Sequence, residues 1–296
     1  MTAAENAVLV VGGDGYVART LVPHLRSRGL RVAASTRRAD MAGPDRPLLD
    51  LASGEGFGIA EAGYAAAVLC AARARLADCR ADPVGTAQTN VAGTLELAGR
   101  LARAGTRILL LSTDKVYDGS IPHRRWSDRP CPASEYGRQK AAAEAGVLAL
   151  PGASVLRLSK VVGPEAGPFA GWVRSLRAGS AIQPFSDFPL AAVPVGLVAE
   201  AAARILDRSG TGIFQLTASE DINYARAAFH LARRIGADDR LVQPVTGRMG
   251  EVLGGEPASA FTSLDCSRLR DMMGLAAPDP YTALDSILAA AASYPS

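Results

Sequence analysis

The chain has 296 residues, enough for one or two domains, and its 48% apolar and 21% charged residues exclude wholesale disorder. With 32 basic against 29 acidic residues, the net charge of +3 is too small to mark a nucleic-acid surface or a polybasic membrane patch. No apolar run approaches the roughly 18 residues of a membrane span.

Residues 1–6 carry no basic region, and the apolar run at 7–11 is too short for a signal peptide. That run ends in Gly12-Gly13, and a helical period follows over 16–28. Further short runs at 31–35, 47–51, 66–70, 107–111 and 154–158 read as strands, with helices predicted over 86–104 and 135–150. Short unalternating strands separated by helices indicate a parallel sheet covered on both faces, the doubly wound α/β (Rossmann) pattern. Beyond residue 159 the rhythm loosens. A short helix is predicted at 169–178, an irregular stretch at 184–194, a helix at 195–206 and a strand at 212–216. Helices at 224–235 and 281–292 then flank a Gly/Pro-rich middle. Residues 1–160, with 193–217 returning to them, are expected to form a dinucleotide-binding domain. Residues 161–192 and 218–296 are expected to form a smaller C-terminal substrate-binding lobe. Cys70, Cys79, Cys131 and Cys266 show no paired spacing, so reduced thiols, no metal site and a cytoplasmic location are expected.

Four segments carry chemistry. After the first strand, Gly12, Gly13, Gly15 and Ala18 fit a dinucleotide-binding turn: glycines let the backbone approach a pyrophosphate, and a helix starting at Tyr16-Val17 offers it N–H groups. The alternative is a purely structural glycine turn. At the end of the second strand, Thr36-Arg37-Arg38 has no acid before Asp40; an arginine there suits a 2′-phosphate, which favours NADPH over NADH, unless the pair is merely solvated. The strand at 107–111 runs into Ser112-Thr113, hydroxyls at the edge where open α/β sheets bind ligands, although Ser112 also reads as a turn cap. Tyr136 and Lys140, four apart on a helix, share a face, and an ammonium beside the phenol is expected to draw its pKa down towards working pH.

The glycine turn, Ser112-Thr113-Asp114-Lys115-Val116-Tyr117-Asp118-Gly119, Tyr136-Gly137-Arg138-Gln139-Lys140 and Val155-Leu156-Arg157-Leu158-Ser159 follow in an order that resembles the extended short-chain dehydrogenase/reductase family. The branch they are most similar to is the dTDP-4-dehydrorhamnose reductase type. Cys70-Ala71-Ala72 resembles that branch's Asn-Ala-Ala, Asn90-Val91-Ala92-Gly93-Thr94 its Asn-containing helix, and Leu264-Asp265-Cys266-Ser267-Arg268-Leu269 its late Leu-Asp-x-Ser-Lys-Leu segment. The resemblance implies Thr113, Tyr136 and Lys140 as a catalytic triad and Gly12, Gly15 and Ala18 at the pyrophosphate. It also implies Asp50 and Leu51 beside adenine, and Cys70, Ala71, Ala72, Asn90 and Ser112 along the cofactor. Three positions depart from the pattern: Lys115 and Lys160 stand where the reductases place aromatic residues, and Cys70 replaces Asn.

An NADP(H)-dependent reductase acting on a carbonyl of a small, anionic or sugar-nucleotide-like molecule is therefore expected, with Tyr136 as proton donor. Two alternatives stay open. One is a dehydratase or epimerase with tightly bound NAD, against which Lys115 replaces the acid of Thr-Asp-Glu. The other is a non-catalytic dinucleotide-binding regulatory subunit of the same fold. Among 32 basic residues only Lys115, Lys140 and Lys160 are lysines. Lys115 and Lys160, with Arg73, are expected to bind an anionic substrate group, the alternative being solvated surface positions. A small-molecule substrate is the expected partner, with no nucleic acid and no membrane, and a homodimer is left open.

Overall fold

The computed structural model describes residues 7–164, 167–247 and 259–291. The opening hexapeptide, and the parts of the expected C-terminal lobe at 165–166, 248–258 and 292–296, lie outside the described residues. Six parallel strands form the central sheet: β1 (Ala7–Val11), β2 (Arg31–Ala34), β3 (Ala66–Leu69), β4 (Arg107–Thr113), β5 (Ser154–Leu158) and β9 (Gly212–Leu216), in the order β2-β1-β3-β4-β5-β9. Strand order reverses between β1 and β3, where Val11 lies opposite Leu69. In such sheets the crevice beyond that reversal is where ligands bind.

Both faces are covered because the strands are apolar on both sides. On one face α1 (Tyr16–Ser27) buries Ala18, Leu21 and Leu25, a stripe at helical spacing, against α7 (Val195–Asp207) and the sheet. On the other, α4 (Thr94–Arg103) and α5 (Glu135–Leu148) bury Leu97, Ala98, Leu101, Ala143 and Val147. A separate cluster joins α6 (Phe169–Arg177), α8 (Tyr224–Arg234) and α10 (Pro280–Ala291). Beside it lie two short ribbons, β7 (Pro189–Leu190) with β10 (Ile222–Asn223) and β6 (Val161–Val162) with β8 (Val193–Pro194). A short α9 (Ser267–Met273), absent from the sequence reading, packs on the α7 side.

Two expectations are corrected. Residues 47–51 are not a strand of the sheet. A single bridge joins Leu48 to Thr36, Pro47 has no N–H to donate, and the Asp50 N–H turns away to the Glu55 carbonyl (3.0 Å), so the ladder stops. The apolarity there serves packing: Leu49 and Leu51 are buried with Phe57 and Ala60. The helix predicted over 86–104 is instead α3 (Pro83–Ala87), a π-helical turn at Gln88–Gly93 and then α4, preceded by a further helix, α2 (Leu76–Ala81). No helix among the described residues is long and apolar enough to cross a membrane.

Candidate active site

The β1–α1 turn builds the first part of the site. Gly12 has φ of 85°, and a Cβ there would lie 2.8 Å from the Ala71 Cβ, so only glycine lets the two strand ends approach this closely. The Gly12 N–H donates to Ser35 Oγ (3.0 Å) and the Gly13 N–H to the Ser35 carbonyl (2.8 Å), fastening the turn to β2. Gly15 precedes α1, whose first turn has no acidic residue to compete with an anion. A groove of 280 Å³ opens here, and Gly12, Gly15, Thr36, Arg37, Asp50, Leu51, Cys70, Ala71, Ala72 and Arg73 all line it. Burial pushes the Cys70 thiol up to about 12, with Lys140 opposing, so it lies in the groove as an uncharged group.

Arg37 also faces a neighbouring hollow that takes in Gly13, Arg38 and Arg46. Sequence reading missed Asp14 and Arg46 here. Asp14 accepts from Thr36 Oγ1 (2.7 Å) and pairs with Arg46, which comes round on the loop after β2. Burial raises the Asp14 pKa, but the Thr36 and Arg46 hydrogen bonds and the charges of Arg46 and Arg38 outweigh it and hold the carboxyl below its usual value. The acid absent from the end of β2 is thus supplied in space by the glycine turn, already neutralised by arginine.

The groove continues into a second hollow of 330 Å³ lined by Gly15, Tyr16, Val17, Ala18, Cys70, Ala72, Ser112, Thr113, Tyr136 and Lys140. The Ser112 hydroxyl is buried there with no hydrogen-bond partner among the described residues, so the hollow holds an unanswered polar group. With a turn that a side chain would fill, an acid-free helix start and an unanswered hydroxyl, the residues present fit a nicotinamide dinucleotide. Asn90 does not line this path. It is 1% exposed and its amide is consumed by the Arg73 N–H (2.8 Å), the Arg73 carbonyl (2.9 Å) and Gln139 Oε1 (2.8 Å), so it shapes the groove's wall instead.

Helix α5 delivers Tyr136 and Lys140. Ser134 caps it by accepting the Gly137 N–H (3.1 Å), and a Cβ at Gly137 would run into the Lys115 carbonyl, so the helix start rests directly on the loop after β4. Lys140 Nζ donates to the Leu111 carbonyl (2.8 Å). Burial lowers the Lys140 pKa to about 8, against the pull of Glu144 and Cys70. The expectation that Lys140 draws the Tyr136 pKa down is reversed in this arrangement. Burial pushes the phenol above its ordinary value, and Asp114 and Cys79 push it the same way.

Beyond Tyr136 lies a cavity of 430 Å³, which Thr113, Asp114, Lys115, Ser134, Ser159 and Lys160 line from the sheet side. Phe188, Pro189, Tyr224, Ser259 and Thr262 close it from the far side, and the sequence reading found none of these five. Thr113 and Tyr136 face both this cavity and the preceding hollow. Lys115 Nζ is engaged by Asp114 Oδ2 (3.2 Å) and Ser259 Oγ (3.0 Å), whereas Lys160 is exposed and makes no ion pair among the described residues. Arg73 is placed elsewhere than expected: it lines the dinucleotide groove and pairs with Asp82 (3.4 Å). Among the described residues no group of three metal-ligating side chains comes together.

The family described as RmlD substrate binding domain matches residues 6–293. The chain belongs to the RmlD family. A dTDP-4-dehydrorhamnose reductase of Streptomyces griseus is 29% identical over 252 residues, covering 80% of this chain and 79% of that protein. The "Methionine adenosyltransferase 2 subunit beta" of Pongo abelii is 28% identical over 234 residues, which take in 72% of this chain and 66% of that protein. The match thus spans about two thirds of that relative's length. Among solved structures, a dTDP-4-dehydrorhamnose reductase from Bacillus anthracis in complex with NADP superposes with a TM-score of 0.83 at 17% identity, covering 97% of this chain and 99% of that one. At that identity the likeness shows a shared fold.

Proposed function

We propose that the chain is an NADPH-dependent reductase of a sugar-nucleotide-like ketone, with residues 1–160 and 193–217 holding the dinucleotide and 161–192 with 218–296 enclosing the substrate. The observation that carries this reading is the position of Tyr136 and Thr113, which face both the dinucleotide path and the cavity beyond it. A bound NADPH would supply the hydride. Tyr136 donates a proton to the carbonyl oxygen, and its raised pKa keeps it in the protonated form that a donor requires. The Thr113 hydroxyl, which now donates to Asp114 Oδ1 (3.0 Å), has one proton to turn towards the same oxygen. Lys140 spends one of its three ammonium protons on the Leu111 carbonyl and keeps two for the nicotinamide ribose.

Arg37 and Arg38 support NADPH over NADH. Arg38 lies close enough to Asp14 to act on its charge, which leaves Arg37 as the arginine available to a 2′-phosphate. Arg37→Ala is expected to weaken NADPH binding by about ten- to a hundred-fold and to leave NADH binding unchanged, from about 1.5–3 kcal/mol for a charge-assisted hydrogen bond. Fluorescence titration of both cofactors checks this, and equal affinity of the parent protein for the two would overturn it. NADPH consumption with dTDP-4-dehydrorhamnose tests the reaction itself.

Lys160, which makes no ion pair among the described residues, is proposed to meet an anionic group of the substrate as a point charge. Lys160→Ala is expected to raise KM about two- to tenfold without altering NADPH affinity, and to flatten the dependence of KM on ionic strength. An unchanged KM from low to high salt would mean that the lysine is only solvated.

Two other readings are weighed. The adenosyltransferase relative is named as a subunit, which favours a dinucleotide-binding partner without turnover; the retained Tyr136 and Lys140 weigh against it. For a dehydratase, an ammonium bonded to Asp114 stands where a second carboxylate is required.

A further inference from the structure

The hydroxyls on the cavity wall are nearly all spoken for inside the protein. Ser134 caps α5, Ser159 donates to the Ala191 carbonyl, Thr113 donates to Asp114, and Ser259 accepts from Lys115. Thr262 donates to Asp221 Oδ1 (2.6 Å) and accepts the Ala191 N–H (2.9 Å), while Tyr117 donates to the Arg125 carbonyl (2.7 Å). Two hydroxyls lining the cavity have no hydrogen-bond partner among the described residues: Tyr136, which the proposed reaction uses, and Tyr224, which it does not.

Tyr224 is held in a fixed pose. It is the first residue of α8, directly after Asn223, whose side chain caps that helix by accepting the Arg226 N–H (2.8 Å). Its ring stacks on Phe169 (5.7 Å between centroids, 9° between planes). The edges of Trp172 (6.2 Å, 84°) and Phe188 (6.3 Å, 89°) meet it from two further directions. Three aromatic contacts fix the ring, so the hydroxyl has no freedom to seek a partner elsewhere in the protein. Burial raises its pKa to about 12 and Asp114 acts in the same direction, so it meets the cavity as a donor across from a carboxylate.

We infer that Tyr224 is a specificity-determining residue: its hydroxyl, with Asp114, binds a substrate hydroxyl beside the carbonyl that Tyr136 serves. The inference rests on the sugar-nucleotide reading above. The chemistry is complementary, because a sugar hydroxyl both donates and accepts. The phenol supplies a donor, and Asp114, which accepts from Thr113 on one oxygen and Lys115 on the other, retains further lone pairs to receive a proton. A ketone without a neighbouring hydroxyl would leave the Tyr224 hydroxyl desolvated and unanswered, which is how a site built for hydrogen bonding rejects an analogue.

Tyr224→Phe keeps the aromatic packing and removes only the oxygen. Calorimetric titration of the NADP-loaded protein with dTDP-L-rhamnose and with dTDP separates the sugar's share of binding from the nucleotide's. The expected result is a five- to tenfold rise in Kd for dTDP-L-rhamnose, the usual worth of one hydrogen bond, with the Kd for dTDP unchanged. An unchanged Kd for dTDP-L-rhamnose, or an equal loss for both ligands, overturns the role of Tyr224 and leaves the reductase reading standing. Failure of the parent protein to bind either ligand overturns the sugar-nucleotide reading, and this inference falls with it.

Discussion

Replacing Tyr136 with Phe is expected to lower turnover by about 10²–10⁴ while NADPH binding stays nearly unchanged. The phenol is the acidic group shared by the dinucleotide path and the cavity, and burial together with Asp114 keeps its proton on. The ring would still fill its place in the Phe variant, so the loss falls on the proton alone. Lys140→Met is expected to weaken both cofactor binding and turnover, because the ammonium faces the hollow that Ser112 and Thr113 share. Lys140 has its pKa lowered to about 8, so it sheds its charge as pH rises through that value, and turnover is expected to bend downward above about pH 8. A pH–rate profile of the parent protein and of both variants checks these points. Full activity in Tyr136→Phe would remove the donor assignment and favour the reading of a dinucleotide-binding subunit.

The sheet was legible because buried parallel strands are continuous apolar runs, and β1, β3 and β5 are flanked by glycines, helical periods or both. The same logic misread residues 47–51, since Leu49 and Leu51 are apolar for packing without pairing. Tyr136 and Lys140 could be paired from sequence because a helix sets their spacing locally. Tyr224, Phe188 and Ser259 could not, because they reach the cavity through the docking of segments dozens of residues further along the chain. Asn90 misled for another reason. Its position is right beside the groove, but backbone groups of Arg73 claim its amide, and no pattern in the sequence announces that competition. Arg157 did carry a signal: a lone charge inside Val155–Leu158 requires a buried partner.

That partner is Glu144 on α5, and breaking the pair is expected to cost about 3–5 kcal/mol of folding stability. Arg157 is 1% exposed and Glu144 2%, with Nη2 2.7 Å from Oε2 and Nε within 3.1 Å of both carboxylate oxygens. The remaining guanidinium nitrogen donates to Tyr117 Oη (2.6 Å) and approaches Gln215 Oε1 (3.3 Å), so the charge is fully answered. Glu144→Leu leaves a guanidinium in the protein interior with its main counter-charge gone, which is why removing one partner costs far more than the pair contributes net. Exchanging both for leucine removes the stranded charge, so the double variant is expected to be more stable than Glu144→Leu alone. The surface pair Arg100–Glu96 has the same 2.7 Å separation but 41% and 54% exposure, and Glu96→Leu is expected to cost only about 0.3–0.5 kcal/mol. Urea denaturation of the three variants beside the parent separates the cases, since equal distances with unequal burial isolate desolvation as the cause. A Glu144→Leu midpoint as little shifted as that of Glu96→Leu would show that the interior near Arg157 is wet enough to solvate it. The pair joins the helix bearing Tyr136 and Lys140 to the strand leading into Ser159, so a wet or broken pair would loosen the donor's own support.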